Sequence, residues 1–301
     1  MLRYEVENQR TLLMLKQILS FGLLCLLFPN SFADTFALKW TLQQGLDKPE
    51  SVVYDAARDR LYVSNVQGNP PEKDGKGYIT TVSLDGKLLE KEWLKDLNAP
   101  KGMAIVGDKL YVSDVDALVE IDIVAAKVIQ RYEAKSAKFL NDVSADAQKN
   151  IYVSDMFDDK IYCLCDGKFA LWLSSTELTA PNGLLAEKNR LILGSWGKIK
   201  EGFTTEVPGY LKTIDYQTKK ISYLGSDKPV GNLDGVESDG KEGYYVTDWM
   251  AGKLFHFDAK GEAMEIMKLK QGSADILYLA TKHLLLIPMM LDNELKAFEL
   301  K

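Results

Sequence analysis

Six times along the chain a short polar segment gives way to an apolar, strand-like run, a polar turn and a second such run. The second runs read RLYVSN at 60–65, KLYVSD at 109–114, NIYVSD at 150–155, RLILGS at 190–195, GYYVTD at 243–248 and HLLLIP at 283–288. They are rich in β-branched and aromatic residues and bounded by Asp, Asn, Gly or Lys, the composition of short strands between tight turns. A further pair of strand-like runs follows, as in GYITTVSLDG and then KLLEKEWL, or GKLFHFDAKG and then EAMEIMKL. The second runs start 40 to 53 residues apart, and four short strands per repeat of that length is the pattern of a propeller blade. Helical periodicity of comparable length is absent after residue 33. The pattern predicts an all-β, six-bladed β-propeller. Its last repeat ends with ELKAFEL and lacks an outermost strand, so the segment FALKWTL at 36–42 is expected to supply it and close the ring. That closure removes an otherwise exposed edge.

The N-terminal segment reads differently. Residues 17–33, QILSFGLLCLLFPNSFA, follow Lys16 and end in Ser31-Phe32-Ala33. A positive flank, a short apolar stretch and a small-x-small exit describe a secretory signal peptide. Pro29 and Asn30 break the run below the length of a bilayer span, and Cys25 follows two leucines rather than the small residues of a lipoprotein anchor. The sequence is thus expected to comprise a signal peptide over 1–33 and one propeller domain over 34–301, exported to the periplasm or secreted. The leader carries three basic and two acidic residues, so its removal takes the net charge from −6 to −7. A mildly acidic, charge-mixed chain points away from nucleic acid and from anionic membrane surfaces. No later segment is long and apolar enough for an anchor, so the expected partner is a small-molecule substrate or ligand. Cys163 and Cys165 stand two apart on a strand-like run, a spacing poor for a bridge in a straight strand, and are expected to pack.

Candidate chemistry lies where each repeat begins. The first strands start with KPESV (48–52), APKGM (99–103), FLNDV (139–143), APNGL (180–184), NLDGV (232–236) and SADIL (273–277). Their middle residues are Glu50, Lys101, Asn141, Asn182, Asp234 and Asp275. First strands are innermost in a propeller, so these six side chains should ring one mouth of the central channel. Crowded buried carboxylates repel one another, and a hard cation relieves that repulsion. Glu50, Asn141, Asn182 and Asp234 form the mixed oxygen set that calcium accepts, with magnesium, manganese or zinc as other divalent candidates. The ring contains no His or Cys, which disfavours softer metals. The pattern alone leaves a second possibility open, a hydrated channel whose acids are balanced by Lys101.

These motifs resemble the senescence-marker-protein, gluconolactonase and luciferin-regenerating-enzyme family of six-bladed propellers. The resemblance spans residues 34–301 and rests on the PE of the first repeat, LNDV of the third, APNG of the fourth and LDGVESDG of the fifth. It implies a divalent-metal site at Glu50, Asn182 and Asp234, to which the related diisopropylfluorophosphatase and paraoxonase propellers add Asn141. Two departures stand out. Family members usually carry Arg-x-Asn-Asp where this chain has Phe139-Leu140-Asn141-Asp142, which argues against a sugar lactone of the usual kind. Lys101 sets a cation beside the proposed metal, where it would weaken metal binding or hold an anionic substrate group.

The function this implies is metal-assisted hydrolysis of a lactone or related ester, with Asp234 as catalytic base. Lys101, Phe139, Asp275, Trp196 and Trp249 are the candidate substrate contacts. The competing reading is a non-catalytic exported binding propeller with a structural metal, because fold does not fix activity. The repeated Asn65, Asp114, Asp155, Ser195 and Asp248 either support the ring or bond local backbone in turns. Met156, Trp196 and Trp249 follow the second strands and should wall a partly apolar pocket, overhung by the insertions at 66–77 and 196–209. His256 and His283, the two histidines, are expected to be structural.

Overall fold

The computed structural model describes residues 35–301; the leader read at 1–33 lies outside the described residues. Six four-stranded antiparallel sheets follow one another along the chain. Blade one comprises Pro49–Asp55, Arg60–Asn65, Gly77–Ser83 and Leu88–Leu97, and blade two Pro100–Val106, Lys109–Asp114, Ala117–Asp122 and Lys127–Glu133. Blade three is Leu140–Ala145, Ile151–Asp155, Lys160–Cys165 and Lys168–Ser174. Blade four, Pro181–Ala186, Arg190–Ser195, Leu211–Asp215 and Ile221–Tyr223, carries an inserted hairpin of Gly197–Glu201 and Thr204–Pro208. Blade five is Leu233–Ser238, Tyr244–Asp248, Lys253–Phe257 and Ala263–Lys268. Blade six combines Leu277–Leu279, Leu284–Met289 and Glu294–Leu300 with Phe36–Leu42 from the other end of the chain.

Burial is graded outward from the channel. Second strands such as Ile151–Asp155 and Tyr244–Asp248 are buried at every position, whereas the outer strand Lys127–Glu133 has no buried residue. The apolar core lies between blades. Leu42, Leu46, Val52, Leu61, Leu286 and Leu295 join blades six and one, and Ile79, Leu97, Met103, Val112 and Ile121 join one and two. The sheets therefore lean on their neighbours, and the ring depends on its last interface being closed.

Phe36–Leu42 provides that closure. It pairs antiparallel with Glu294–Leu300, Phe36 opposite Leu300 and Leu42 opposite Leu295, as the sequence pattern predicts. Phe36 stands edge-on to Tyr245 at 5.2 Å, and Trp40 Nε1 donates to the Leu84 carbonyl at 3.1 Å, so the strand binds three blades together.

The cysteine expectation is corrected. Cys163 and Cys165 form a disulfide, with Cα atoms 5.5 Å apart rather than the about 7 Å of a straight strand. The strand bends there into the turn at Asp166 and Gly167, both with positive φ, and the bend brings the two side chains within bridging range.

Removing residues 34–46 deletes a full edge strand and the apolar contacts of Phe36, Trp40, Leu42 and Leu46, each at about 2 kcal/mol. The truncated protein is expected to melt more than about 10 °C below the intact one in a single transition. Equal melting temperatures in scanning calorimetry would refute closure by this strand.

Candidate functional site

One irregularity recurs where every inner strand begins. Pairing runs from Pro49–Asn65 to Val52–Val63, from Pro100–Asp114 to Met103–Val112, from Leu140–Asp155 to Val143–Val153, from Pro181–Ser195 to Leu184–Leu193, and from Leu233–Asp248 to Val236–Val246. The inner strand spends one residue more than its partner each time. Blade six does the same between the Ser273–Met289 bridge and the Leu277–Leu286 pair. Such a bulge re-aims side chains and leaves an amide outside the ladder. The ring residues Glu50, Lys101, Asn141, Asn182, Asp234 and Asp275 all fall within it.

The repeated second-strand motif holds the bulges. Ser64 Oγ, Ser154 Oγ and Thr247 Oγ1 each accept the freed amide, from Ser51, Asp142 and Gly235 respectively, at 2.9 Å. Two of these hydroxyls also reach the next blade, Ser154 donating to the Asn182 carbonyl at 2.9 Å and Thr247 to the Ala274 carbonyl at 3.0 Å. The neighbouring Asp or Asn serves backbone too. Asp114 accepts from Asn98 and Ala99, Asp155 from Lys138 and Phe139, and Asn65 from Asp47, all in the loops leading into their own inner strands. Asp248 accepts from Ala251, and Ser195 bonds Tyr210. These five residues are turn and loop formers, the local-backbone alternative left open by the sequence.

Glycine following a ring residue has its own cause. A β-carbon on Gly183 would overlap the Asp234 carbonyl oxygen, and one on Gly235 the Ile276 nitrogen. The PNG and DG motifs are thus required by close approach of neighbouring inner strands.

Glu50, Lys101, Asn141 and Asp234 meet at the floor of a pocket of about 170 Å³ at one mouth. Asn182 lies just beneath, accepting from Asn141 Nδ2 through Oδ1 and donating to the Leu233 carbonyl at 3.1 Å. Asp275 points elsewhere. It lines a second cavity deeper in the channel together with Asp142 and Glu237, and accepts from Ser51 Oγ at 2.6 Å. Five of the six ring positions therefore belong to one site and the sixth to the channel interior.

The floor is electrostatically loaded. Burial pushes the Glu50 carboxyl well up, assisted by Asp234 and Asp275 and opposed by Lys101. Burial likewise raises Asp234, with Asp275 adding to the shift and a hydrogen bond from Asn182 opposing it. Lys101 is driven down to about 8 by burial, against the pull of Glu50 and Asp114. Its ammonium donates to the Ala99 carbonyl at 2.9 Å and sits 4.4 Å above the Phe139 ring, so it is not locked to a carboxylate.

The donors suit a hard cation. Glu50 Oε2 and Asn141 Oδ1 are buried oxygens without a hydrogen-bond partner, an arrangement that an ion between them would satisfy. Among the described residues no three His, Cys, Asp or Glu side chains gather as ligands, so the set stands at two carboxylates and two carboxamides. His256 bonds Asp239 at 3.0 Å and His283 occupies a positive-φ turn, both away from the pocket.

Above the floor lies an apolar collar. Val66, Met156, Trp196, Trp249 and Met290 line the pocket, each one residue past a second strand, and their amides bond carbonyls of the preceding loops. Phe139 is buried beside them, 4.8 Å from Phe157. The sequence pointed to Met156, Trp196 and Trp249; Val66 and Met290 occupy the same repeat position and were legible by that rule. Phe203 was missed. It crowns the inserted hairpin, and an aromatic residue within the polar stretch 200–206 was the available signal. Pro70, from the insertion at 66–77, also reaches the pocket.

No protein-family model and no curated protein matches the sequence. Likeness appears among solved structures. A gluconolactonase from Xanthomonas campestris is 15% identical with a TM-score of 0.65, covering 89% of this chain and 91% of that one. A virginiamycin B lyase from Staphylococcus aureus is 13% identical with a TM-score of 0.61, covering 88% and 100%. A chain of a nidogen–laminin complex is 17% identical with a TM-score of 0.57, covering 72% and 78%. At these identities the likeness shows the six-bladed propeller fold.

The channel acids imply an unusual pH dependence. Burial raises the Asp275 carboxyl from 3.8 to about 7, against hydrogen bonds from Ser51 and the Ile276 amide. Between those values the folded chain holds a proton that the unfolded chain has released, so stability falls as pH rises through this window. In chelator the melting temperature is expected to drop between pH 5 and 7.5, and Asp275→Asn to flatten the slope. An unchanged slope in that variant would show that Asp275 does not titrate this way.

Proposed function

We propose that this chain is a metal-dependent hydrolase of a lactone or related ester, gluconolactonase-like, acting at the collared mouth of the channel. The observation that carries the reading is the pair of unpartnered buried oxygens, Glu50 Oε2 and Asn141 Oδ1, in a floor of carboxylates and carboxamides flanked by Lys101 beneath an open pocket. Glu50, Asn141, Asn182 and Asp234 would hold a divalent cation, with calcium best suited to such donors. When bound, such an ion polarises a carbonyl and acidifies water.

The remaining work belongs to the side chains. Asp234 accepts the proton of the attacking water as its oxygen bonds to the acyl carbon, and returns it to the leaving alkoxide as the ester C–O bond breaks. Lys101 presents its ammonium to the acyl oxygen or to an anionic group of the substrate. Phe139, Trp196 and Trp249 exclude bulk water, which strengthens each polar contact at the floor. A lyase reading draws less support. One virginiamycin B lyase structure is described as a catalytically inactive histidine-to-alanine form, whereas both histidines here lie away from the pocket.

A non-catalytic binding role is the second reading, favoured by Lys101, whose buried ammonium is held by the Ala99 carbonyl and the Phe139 ring rather than by a carboxylate and is free to hold an anionic ligand group without any reaction. Calcium is expected to raise the melting temperature of the wild type and to lose that effect in Asp234→Asn. Lactone and ester turnover with calcium, manganese, magnesium or zinc should fall at least about 100-fold in Asp234→Asn and in Asn182→Ala. Metal-dependent stabilisation without turnover on any such substrate would favour the binding role. Turnover indifferent to both substitutions would remove this mouth from the chemistry.

A further inference from the structure

The floor accounts for a reacting group, but the collar indicates what kind of molecule carries it. Phe139, Met156, Trp196, Phe203, Trp249 and Met290 face the pocket. Among them only the two indoles bear a strong donor, and that of Trp196 is already committed to the Phe203 carbonyl at 2.8 Å. A substrate studded with hydroxyls would bury them against walls that cannot answer, whereas an apolar ring would be matched over most of its surface.

Phe203 is placed for this purpose by the hairpin. The two strands turn at Gly202, which has positive φ, and the hairpin is tied down by Asn232 Nδ2, which donates to the Trp196 carbonyl at 2.7 Å and Thr205 Oγ1 at 3.1 Å. Phe203 thereby sits 5.9 Å from Phe139, 5.4 Å from Phe157 and 6.0 Å from Trp196, yet keeps 38% of its surface exposed. An aromatic side chain held half-open above a lined pocket is one that a ligand's own ring can finish covering. Apart from Lys48, whose ammonium donates to the Gly68 carbonyl, polar side-chain recognition lies at the floor, where Lys101 uses one of its three donors on Ala99.

We propose that the pocket selects a lactone or ester built on an apolar ring, an aryl lactone in its simplest form, over a polyhydroxylated one, and that Phe203 is the residue that sets this preference. The substrate class rests on the hydrolase reading above; the binding preference does not.

The test separates binding from turnover by using unreactive lactams. Calorimetric titration of the full-length, calcium-loaded protein with 3,4-dihydroquinolin-2-one, the lactam of dihydrocoumarin, is compared with glucono-1,5-lactam. The aryl lactam is expected to bind at least about tenfold more tightly. Phe203→Ala, a change at an exposed hairpin tip, should weaken it about fivefold and leave the sugar lactam unaffected. Equal or tighter binding of the sugar lactam, or an aryl affinity indifferent to Phe203→Ala, overturns the proposal. Turnover of dihydrocoumarin and gluconolactone is measured alongside. Selective aryl binding without hydrolysis of either lactone upholds the pocket assignment and defeats the hydrolase reading. Hydrolysis of gluconolactone without aryl binding does the reverse.

Discussion

One extra residue at the start of each inner strand governs this molecule. A regular ladder would send alternate side chains into the interfaces between blades; the bulge instead re-aims the residues that open each inner strand toward the channel. The freed amide requires a partner, which in blades three and five the Ser154 or Thr247 hydroxyl of the second strand supplies while also reaching the following blade. The YVSD and YVTD repeats are therefore a holding device, in which apolar positions pack the interfaces and polar positions fix loops and bulges.

That device creates an electrostatic problem and a site together. Glu50, Asp142, Asp234 and Asp275 share the central channel, and each carboxyl is raised by burial. Asp142 is answered by the amides of Val143 and Leu184, and Asp275 by Ser51. Glu50 keeps an oxygen without any partner, so the remaining demand for positive charge is concentrated at the mouth, where solvent and small molecules arrive. Lys101 meets part of it from a distance, its head held by Ala99 and Phe139.

The polar floor and the apolar collar come from adjacent features of one repeat. Collar residues follow directly on the second strands, so a change of one residue type per blade alters the pocket without disturbing the bulge beneath. Blade four adds its hairpin at this same edge, where an insertion extends into solvent and leaves the packed interfaces intact.

The sequence by itself determined the number of blades, the strand that closes them and the six channel positions, because each depends on local periodicity repeated in register. It also placed Met156, Trp196 and Trp249 at the pocket. What it left open were matters of direction and contact across blades. Asp275 turns into the deeper cavity while Asp234 faces the mouth, Lys101 bends toward a backbone carbonyl, and Asp114 and Asp155 spend their oxygens on loop amides. Cys163 and Cys165 bridge because the strand bends at its turn, and Phe203 reaches the mouth because Trp196 and Asn232 hold the hairpin. Those outcomes rest on distances between residues far apart in the chain, which only the closed ring sets.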